Sequence, residues 1–419
     1  MATQRVESGL RNYRIDFARE DAFAEIPENP EFLQYSGVIQ EFNWEVDDTV
    51  NERRGLGSAD PKSFQKAQEE HEIEIVYDLN RWFTEGGEPL DAAYDAIVRD
   101  SDNLLPASHL IVTREDKGAI TVDSTVSGET SRPTRIYSVA HGALPEEVEI
   151  IGEADETTVA VVEMSYLAHK ARSYQIDQPD NDLLCVSSDS AEDTTQEITL
   201  ENEAGDVSET LTLDGETLVS TSDTYADLDA VELSDECVGN VTVYVNTGDE
   251  ATPEQGDALM EIQGSSAYDD MEGDLGVPSV GSGSRETEDD LPETFEHFVG
   301  DAISRGGVDV PHAISSATLI VENDIEEIEL AENIGMALFP GNRELTMEAN
   351  IFGENASHDS LVDALTTEHE DTIWHLQGGD LVLEDSVLAE PGERALEEGE
   401  AVMMVENVFR GKGIDITES

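Results

Sequence analysis

The stretch HEIEIVYDL, residues 71–79, alternates apolar with acidic side chains. Its apolar members are Ile73, Ile75, Tyr77 and Leu79, and its acidic members are Glu72, Glu74 and Asp78. Because successive side chains of a strand point to opposite faces, this pattern predicts a half-buried β-strand. The earlier stretch GVIQEFNWEV predicts a second such strand, with one face formed by Val38, Gln40, Phe42, Trp44 and Val46.

A helix is predicted shortly after these two strands. In EPLDAAYDAIV, Pro89 suits a first helical turn, and apolar residues follow at helical spacing. They are Leu90, Ala93, Tyr94 and Ile97. The predicted order of this region is therefore strand, long loop, strand, helix.

The second half of the chain repeats this order. SATLIVENDIEEI predicts the first strand, FPGNR ends the following loop, ELTMEANIF predicts the second strand, and HDSLVDALTT predicts the helix. Each half also closes on a similar apolar stretch, TTVAVVEMSYLAHKARSYQID in the first and GEAVMMVENVFRGKGIDIT in the second. We therefore predict two related domains, residues 1–182 and 312–419, although few residues are identical between them.

The interval between the two copies has a different pattern. Residues 186–252 form short Thr- and Val-rich segments separated by Gly, Asp and Ser turns, which predicts an inserted immunoglobulin-like β-sandwich. Residues 253–311 have little to bury and are predicted to be an arm or linker that leads into the second copy. The predicted fold class is mainly β with short helices, a β-rich α+β fold: two β-sandwich or barrel-like copies plus the inserted sandwich.

Acidic residues dominate the composition. The 419 residues include 96 Asp and Glu against 22 Lys and Arg, a formal net charge of -74. At about 1 M salt the Debye length falls to roughly 3 Å and screens most of this self-repulsion, so the composition indicates a halophile's protein. The lack of basic surface argues against tight nucleic-acid binding through phosphate neutralisation. With no long apolar run or signal-peptide core we expect a soluble, non-exported protein, in which Cys185 and Cys237 either pair or stay free.

The sequence contains no complete motif of a catalytic or metal-binding site. RGKGID lacks the upstream glycine of a phosphate-binding loop, and GVPSVGSGSR is not a nucleophile elbow. His369 and His375 are spaced too widely for a metalloprotease pair, and Asp177, Asp180 and Asp182 lack the rest of a calcium loop. We therefore predict a protein that is not an enzyme, with no catalytic, cofactor-binding or metal-ligating residues and no cofactor.

The order of these segments resembles that of the tail tube proteins, also called major tail proteins, of tailed viruses. The resemblance is carried by YRIDFAREDAFAEIPENPEFLQYSG, by the hairpin with its long ERRGLGSADPKSF loop, by the helix after the second strand, and by PGNRELTMEANIF followed by DSLVDAL. It covers roughly residues 8–180 and 255–419. Together with the acidity it indicates a virus of halophilic archaea.

The resemblance implies a structural virion protein whose rings stack into a hollow tube, through which viral DNA passes during delivery to the host. Two copies in one chain imply a homo-oligomeric ring of three chains with pseudo-sixfold symmetry, with a hexamer as the alternative. The implied partners are further copies of the chain, the tape measure, tail terminator and baseplate or distal tail proteins, and DNA in non-specific passage, with no membrane. The implied location is the virion tail, and the host cytoplasm during assembly.

The resemblance also implies contact residues and a role for the insertion. In the family the loop between the first two strands contacts the next ring, and here that loop is residues 51–66. The implied intersubunit contacts are Arg53, Arg54, Leu56, Lys62, Phe64, Lys66, Ile325, Ile328, Leu330 and Arg343. The inserted sandwich would be an outward decoration whose loss leaves assembly intact. The alternative for residues 51–66 is an exposed loop with chance basic residues.

Two other functions compete with the tail tube. A secreted or surface-associated adhesive protein of a halophile would explain the immunoglobulin-like module, but not the repeated strand, loop, strand, helix order. A virion enzyme such as a polysaccharide hydrolase is disfavoured because the sequence nominates no catalytic site.

Overall fold

The structure is a computed structural model. It describes residues 13–20, 23, 32–33, 39–54, 61–79, 92–98, 107–117, 132–153, 160–265, 274–279, 303–305, 308–309, 314–328, 337–352, 369–376, 379–391 and 404–417. Within these residues strands dominate, which confirms the predicted mainly β fold class.

The first copy is an antiparallel sheet with a short helix. Its elements are β1 (Tyr13–Arg19), β2 (Phe32–Leu33), β3 (Ile39–Arg54), β4 (Pro61–Asp78), α1 (Ala92–Ile97), β5 (His109–Lys117), β6 (Thr134–Glu153) and β7 (Val161–Asp177). Hydrogen bonding sets the order β3-β4-β7-β6-β5-β1-β2 across the sheet. The predicted apolar face of β4 is confirmed, because Ile73, Ile75, Tyr77 and Leu79 are all buried.

The inserted unit consists of two four-stranded antiparallel sheets. Its strands are β8 (Asp182–Ser188), β9 (Glu197–Glu201), β10 (Ser208–Thr212), β11 (Val219–Tyr225), β12 (Ala230–Leu233), β13 (Val241–Asn246), β14 (Gln255–Ile262) and β15 (Gly276–Val277). One sheet has the order β10-β9-β12-β15 and the other β11-β8-β13-β14. The sandwich is thus larger than the predicted interval 186–252. Since β14 and β15 are hydrogen-bonded into it, the interval 253–311 is not a linker alone.

The second copy repeats the strand order of the first. Its strands are β16 (Ile303–Arg305), β17 (Val308–Asp309), β18 (Ile314–Glu322), β19 (Ile325–Ile328), β20 (Ala337–Pro340), β21 (Glu344–Phe352), β22 (Glu370–His375), β23 (Asp380–Pro391), β24 (Met404–Arg410) and β25 (Gly413–Thr417). The order across the sheet is β18-β21-β24-β23-β22-β16-β17, and β25 extends the line of β24 along β23. The helix predicted in HDSLVDALTT lies outside the described residues.

The two copies join edge to edge. The second half of β6, residues 147–153, pairs antiparallel with β18, the first long strand of the second copy. In this register Val148 lies opposite Val321, and Ile150 lies opposite Leu319. We call this pairing the inter-copy interface. It makes the two copies one 15-stranded sheet.

Two cores lie on opposite faces of this sheet. Phe17 and Ile111 belong to a core that continues through both copies, whereas their strand neighbours Ala18 and Val112 belong to a second core. The second core also contains the interior of the inserted sandwich. The sandwich therefore packs directly on the first copy instead of folding around a core of its own.

The long loop predicted between the first two strands is mostly strand. Strand β3 continues to Arg54 and β4 begins at Pro61, and the two remain paired through this extension. The prediction of a loop was wrong here. Residues 47–54 are polar and lack the apolar alternation by which a strand is recognised, but the backbone hydrogen bonds that pair two strands do not require apolar side chains. The corresponding region of the second copy contains a small hairpin formed by β19 and β20.

Candidate functional site

The predicted contact residues of the first copy lie on the extended hairpin of β3 and β4. Arg53 is the cross-strand partner of Ser63, and Arg54 is that of Pro61. The others on this hairpin are Lys62, Phe64 and Lys66, all in β4, whereas Leu56 lies outside the described residues. The backbone geometry thus places most of this set on one projecting two-stranded ribbon.

The predicted contacts of the second copy have neighbours within the same chain. Ile325 is buried and forms a small apolar cluster with Leu144, Leu167 and Leu338. Ile325 is therefore a packed core side chain within one chain, instead of the intersubunit contact that the resemblance implies, because the β19–β20 hairpin packs on β6 and β7. Ile328 ends β19, and Leu330 lies outside the described residues.

Arg343 also makes an internal contact that the sequence did not predict. Its guanidinium donates a hydrogen bond to the backbone carbonyl of Ile97, the last residue of α1. This contact joins the start of β21 in the second copy to the helix of the first. A cation at the carbonyl end of a helix is favourable because those carbonyls have no partner within the helix.

Charged residues connect the first copy to the inserted sandwich, and their centre is the carboxylate of Asp229. Arg114 donates to its Oδ1 at 2.8 Å, Arg135 at 3.3 Å and the hydroxyl of Tyr137 at 2.6 Å. Arg14 approaches the other oxygen, Oδ2, at 3.4 Å. Asp229 is only 9% exposed. We call this cluster the sandwich interface.

The strand register explains why these donors meet. Arg14 on β1 is the cross-strand partner of Arg114 on β5, and Arg114 in turn is the partner of Tyr137 on β6. All three project from the face of the sheet that also carries the apolar residues under the sandwich. Asp229, which directly precedes β12, reaches this row from the other side.

A second carboxylate strengthens the sandwich interface. Glu203 accepts a hydrogen bond from Arg114 at 3.0 Å and one from Arg135 at 2.6 Å. Further along the same contact, Arg172 of β7 donates to Asp274 at 2.9 Å. Charge-assisted hydrogen bonds between partly buried groups are stronger and more directional than exposed ion pairs. These contacts therefore fix the orientation of the sandwich relative to the first copy.

Burial changes the acid–base properties of this cluster. Desolvation raises the pKa of Asp16 to about 7, against the opposing charge of Arg14. For Asp116 burial acts in the same upward direction, but hydrogen bonds and charge from Arg114 and Arg135 outweigh it and lower the pKa. Desolvation, followed by the neighbouring Asp229, raises the pKa of Tyr137 far above its usual range. Tyr137 is therefore a hydrogen-bond donor at any ordinary pH.

A polar cleft of about 740 Å³ opens beside the sandwich interface. Its lining consists of Asp116, Lys117, Arg132, Pro133, Thr134, Arg135, Gln178, Pro179, Asp180, Ala226, Asp227 and Asp257. Arg132 already donates to Asp182 at 3.0 Å. This lining offers charged and amide groups that bind one another, and it includes no His, Cys or Ser as a nucleophile.

In the part of the chain that the structure describes, we find neither a metal-binding cluster nor a thiol that is exposed and ionised. No group of three or more His, Cys, Asp or Glu side chains is arranged there to hold a metal ion. Cys185 and Cys237 are free and buried, which answers the pairing question left open by the sequence. Desolvation raises the pKa of the Cys185 thiol to about 11 and, with nearby acids, that of Cys237 to about 12. Neither thiol is therefore ionised near neutral pH.

Comparison with known proteins assigns no family to this architecture. No protein-family model and no curated protein matches the chain. Among the described residues, no helix has the length and apolar character needed to span a membrane.

Proposed function

We propose that this protein is a structural virion protein that polymerises into stacked rings and forms the hollow tail tube of a virus of halophilic archaea. Viral DNA would pass through this tube during delivery to the host. The ring would contain three chains with pseudo-sixfold symmetry. Its further partners would be the tape measure, tail terminator and baseplate or distal tail proteins.

The observation that carries this proposal is the edge-to-edge union of two copies with the same strand order. Within the chain, the second half of β6 accepts β18 of the following copy. A unit that accepts the next unit at its edge can be added repeatedly, and a head-to-tail interface of this kind gives a ring when the rotation closes. Ring closure would also cover strand edges that otherwise invite aggregation.

The charge distribution is consistent with passage of DNA. Carboxylates line the face of the joined sheet opposite the continuous core: Glu147, Glu149, Glu163 and Glu348 lie close enough to interact. Burial and then the charges of Glu147 and Glu163 raise the pKa of Glu149. These carboxylates share their face of the sheet with the inserted sandwich, and the chain as a whole, with a formal net charge of -74, repels phosphates instead of binding them, which suits a conduit.

The first prediction concerns assembly of the purified chain. At about 1 M salt or above, where the self-repulsion of a net charge of -74 is screened, we expect rings or tubes with a central hole. Negative-stain electron microscopy would detect them, and the mass of an isolated ring would count its chains. A chain that stays monomeric at every protein concentration in high salt would refute the tail-tube role and favour the adhesive alternative.

A further inference from the structure

We propose that Ser304, His375 and Asp380 form a hydrolase site on the second copy, with Ser304 as the nucleophile, that cleaves neutral esters of short-chain carboxylic acids. This activity goes beyond the proposed tail-tube role. It needs neither a ring nor a second chain.

Two hydrogen bonds join the three side chains. The Oγ of Ser304 lies 2.9 Å from Nε2 of His375, and Nδ1 of the same ring lies 2.8 Å from Oδ1 of Asp380. Both distances are within the range of about 2.6–3.2 Å that joins a nucleophile to its base and the base to the group that orients it. The order hydroxyl, imidazole, carboxylate is that of the Ser-His-Asp triad, which occurs on unrelated folds and is recognised by its geometry.

Strand pairing brings the three residues together. Ser304 lies in β16 opposite Ile373 of β22, two residues before His375, so Ser304 and His375 are diagonal neighbours on one face of the sheet. His375 ends β22 and is the direct cross-strand partner of Asp380, which begins β23. The site is therefore built on hydrogen-bonded strands, which hold side chains in place better than loops do.

The hydrogen bond to Asp380 determines which ring nitrogen of His375 carries the proton. A carboxylate accepts hydrogen bonds and cannot donate them, so Nδ1 of His375 is the donor in this contact. A neutral imidazole has one N–H, which leaves Nε2 as an acceptor. The hydroxyl of Ser304 consequently donates to Nε2, which is the arrangement in which a base can take the proton of a nucleophile.

The base is open to solvent, whereas the nucleophile is shielded. The side chains of His375 and Asp380 are 40% and 26% exposed, and Ser304 as a residue is 5% exposed. The strand neighbours Ile303 and Trp374 belong to the continuous core. The three polar residues therefore lie on the opposite face of the sheet, where a substrate and water can reach the imidazole.

Other buried hydroxyls of the second copy are bound differently. Thr372 and Ser386 are 2.7 Å apart, and both accept hydrogen bonds from the guanidinium of Arg305, at 2.9 and 3.0 Å. A guanidinium is a donor only and cannot take a proton from a hydroxyl. That cluster is structural, whereas Ser304 is bonded to a group that can act as a base.

The surroundings of the site indicate the class of substrate. Ile373 and Val382 are cross-strand partners on the same face as Ser304, and both are half-buried. They provide a small apolar surface for a short acyl chain. Asp415 is the cross-strand partner of Val382, and the chain carries a formal net charge of -74, so a neutral ester is favoured over an anionic one.

The reaction needs only water as a co-reactant. The Oγ of Ser304 attacks the ester carbonyl carbon while its proton passes to Nε2 of His375, and that proton then leaves with the alcohol as the ester C–O bond breaks. Water next attacks the acyl group on Oγ, gives a proton to Nε2, and the carboxylic acid leaves as Oγ regains a proton. The net change is ester plus water to acid plus alcohol, with no oxidation or reduction.

Turnover of an ester and labelling of the nucleophile test the site together. The full-length chain in high-salt buffer should hydrolyse p-nitrophenyl butyrate, which is followed by the absorbance of nitrophenolate. An alkyl fluorophosphonate should react at the Ser304 hydroxyl with loss of fluoride, and peptide mass spectrometry should locate the adduct there. A folded parent chain without turnover would overturn the proposal, even if Ser304 is labelled.

Single substitutions separate this site from other surface groups. Ser304→Ala and His375→Ala should each lower kcat/KM by about 10²- to 10⁴-fold, and His375 is exposed enough for its variant to fold if the serine variant does not. The matched control is His369→Ala, because His369 is an exposed histidine that lies 3.4 Å from Asp385. Circular dichroism checks folding. Equal turnover by the parent, His375→Ala and His369→Ala proteins would refute the site.

Asp380 is a positioning residue, and its variant has a distinct kinetic signature. The amide of Asp380→Asn can donate to Nδ1 of His375, which moves the ring proton to Nε2 and removes the acceptor for the Ser304 hydroxyl. We expect kcat to fall by about 10²- to 10⁴-fold with little change in KM. A loss confined to KM, or no loss in a folded Asp380→Asn protein, would contradict the assigned role.

Discussion

Replacing Asp229 with alanine is expected to lower the free energy of unfolding by about 3–5 kcal/mol, the usual cost of removing one member of a buried ion pair. The side chains of Arg114 and Asp229 are 7% and 11% exposed, so solvent and salt screen their interaction only weakly. Alanine would leave three guanidinium groups and the hydroxyl of Tyr137 facing an apolar side chain. Urea unfolding in a fixed high-salt buffer measures the change.

Two further variants separate charge from general damage. Asp229→Asn keeps an acceptor oxygen but removes the charge, so its loss of stability should be smaller than that of the alanine variant. Asp223→Ala removes an exposed carboxylate from the same sandwich and should change stability by no more than about 0.5 kcal/mol. Equal stability of the Asp229→Ala and Asp223→Ala proteins would show that the cluster does not hold the sandwich in place.

Deleting the whole sandwich, residues 182–277, with a short Gly-Ser linker in its place, is expected to make the chain aggregate. The deletion would uncover an apolar patch on the first copy formed by Leu110, Val112, Tyr137, Val139, Tyr174 and Ile176. Fully burying one such side chain contributes about 1.5–3 kcal/mol, so the six together approach the whole stability of a typical domain, about 5–15 kcal/mol. Soluble yield and size-exclusion profile in high salt measure the effect.

A smaller deletion distinguishes loss of the core from loss of exposed surface. Shortening the exposed turn between β13 and β14, residues 249–252, should leave solubility and particle formation unchanged. If the full deletion stays soluble and assembles as well as the parent chain, the sandwich is a removable decoration, as the family resemblance implies, and the shared core has little weight in stability. The observed packing leads us to expect the opposite.

Local pattern predicted the strands whose side chains alternate. The face of β4 follows from its isoleucines, and the repeat between β4 and β21 follows from the same alternation, with Met347 and Ala349 buried as their positions suggest. The helix α1 follows from apolar residues at helical spacing. These features depend on neighbours close in the sequence, which is why the sequence alone was sufficient.

Contacts between segments that are distant along the chain could not be predicted from the sequence. The inter-copy interface joins β6 to β18 across the inserted sandwich, and nothing in either strand specifies the other as its partner. The sandwich interface was missed because Arg14, Arg114 and Asp229 are far apart in the chain. A partial signal existed: Arg14, Asp16 and Ala18 alternate in YRIDFAR, which places charge and a small apolar residue on one strand face.

The inter-copy interface has a kinetic consequence for a ring of three chains. In the proposed ring, half of the six copy-to-copy contacts would form during folding of the single chains, at the high effective concentration of covalently linked units. Only the remaining three require encounters between separate molecules, each of which carries a formal charge of -74 and repels the others. In the proposed ring, covalent duplication would thus reduce the number of slow, salt-dependent association steps, and it would fix strict alternation of the two copies without any need for recognition between them.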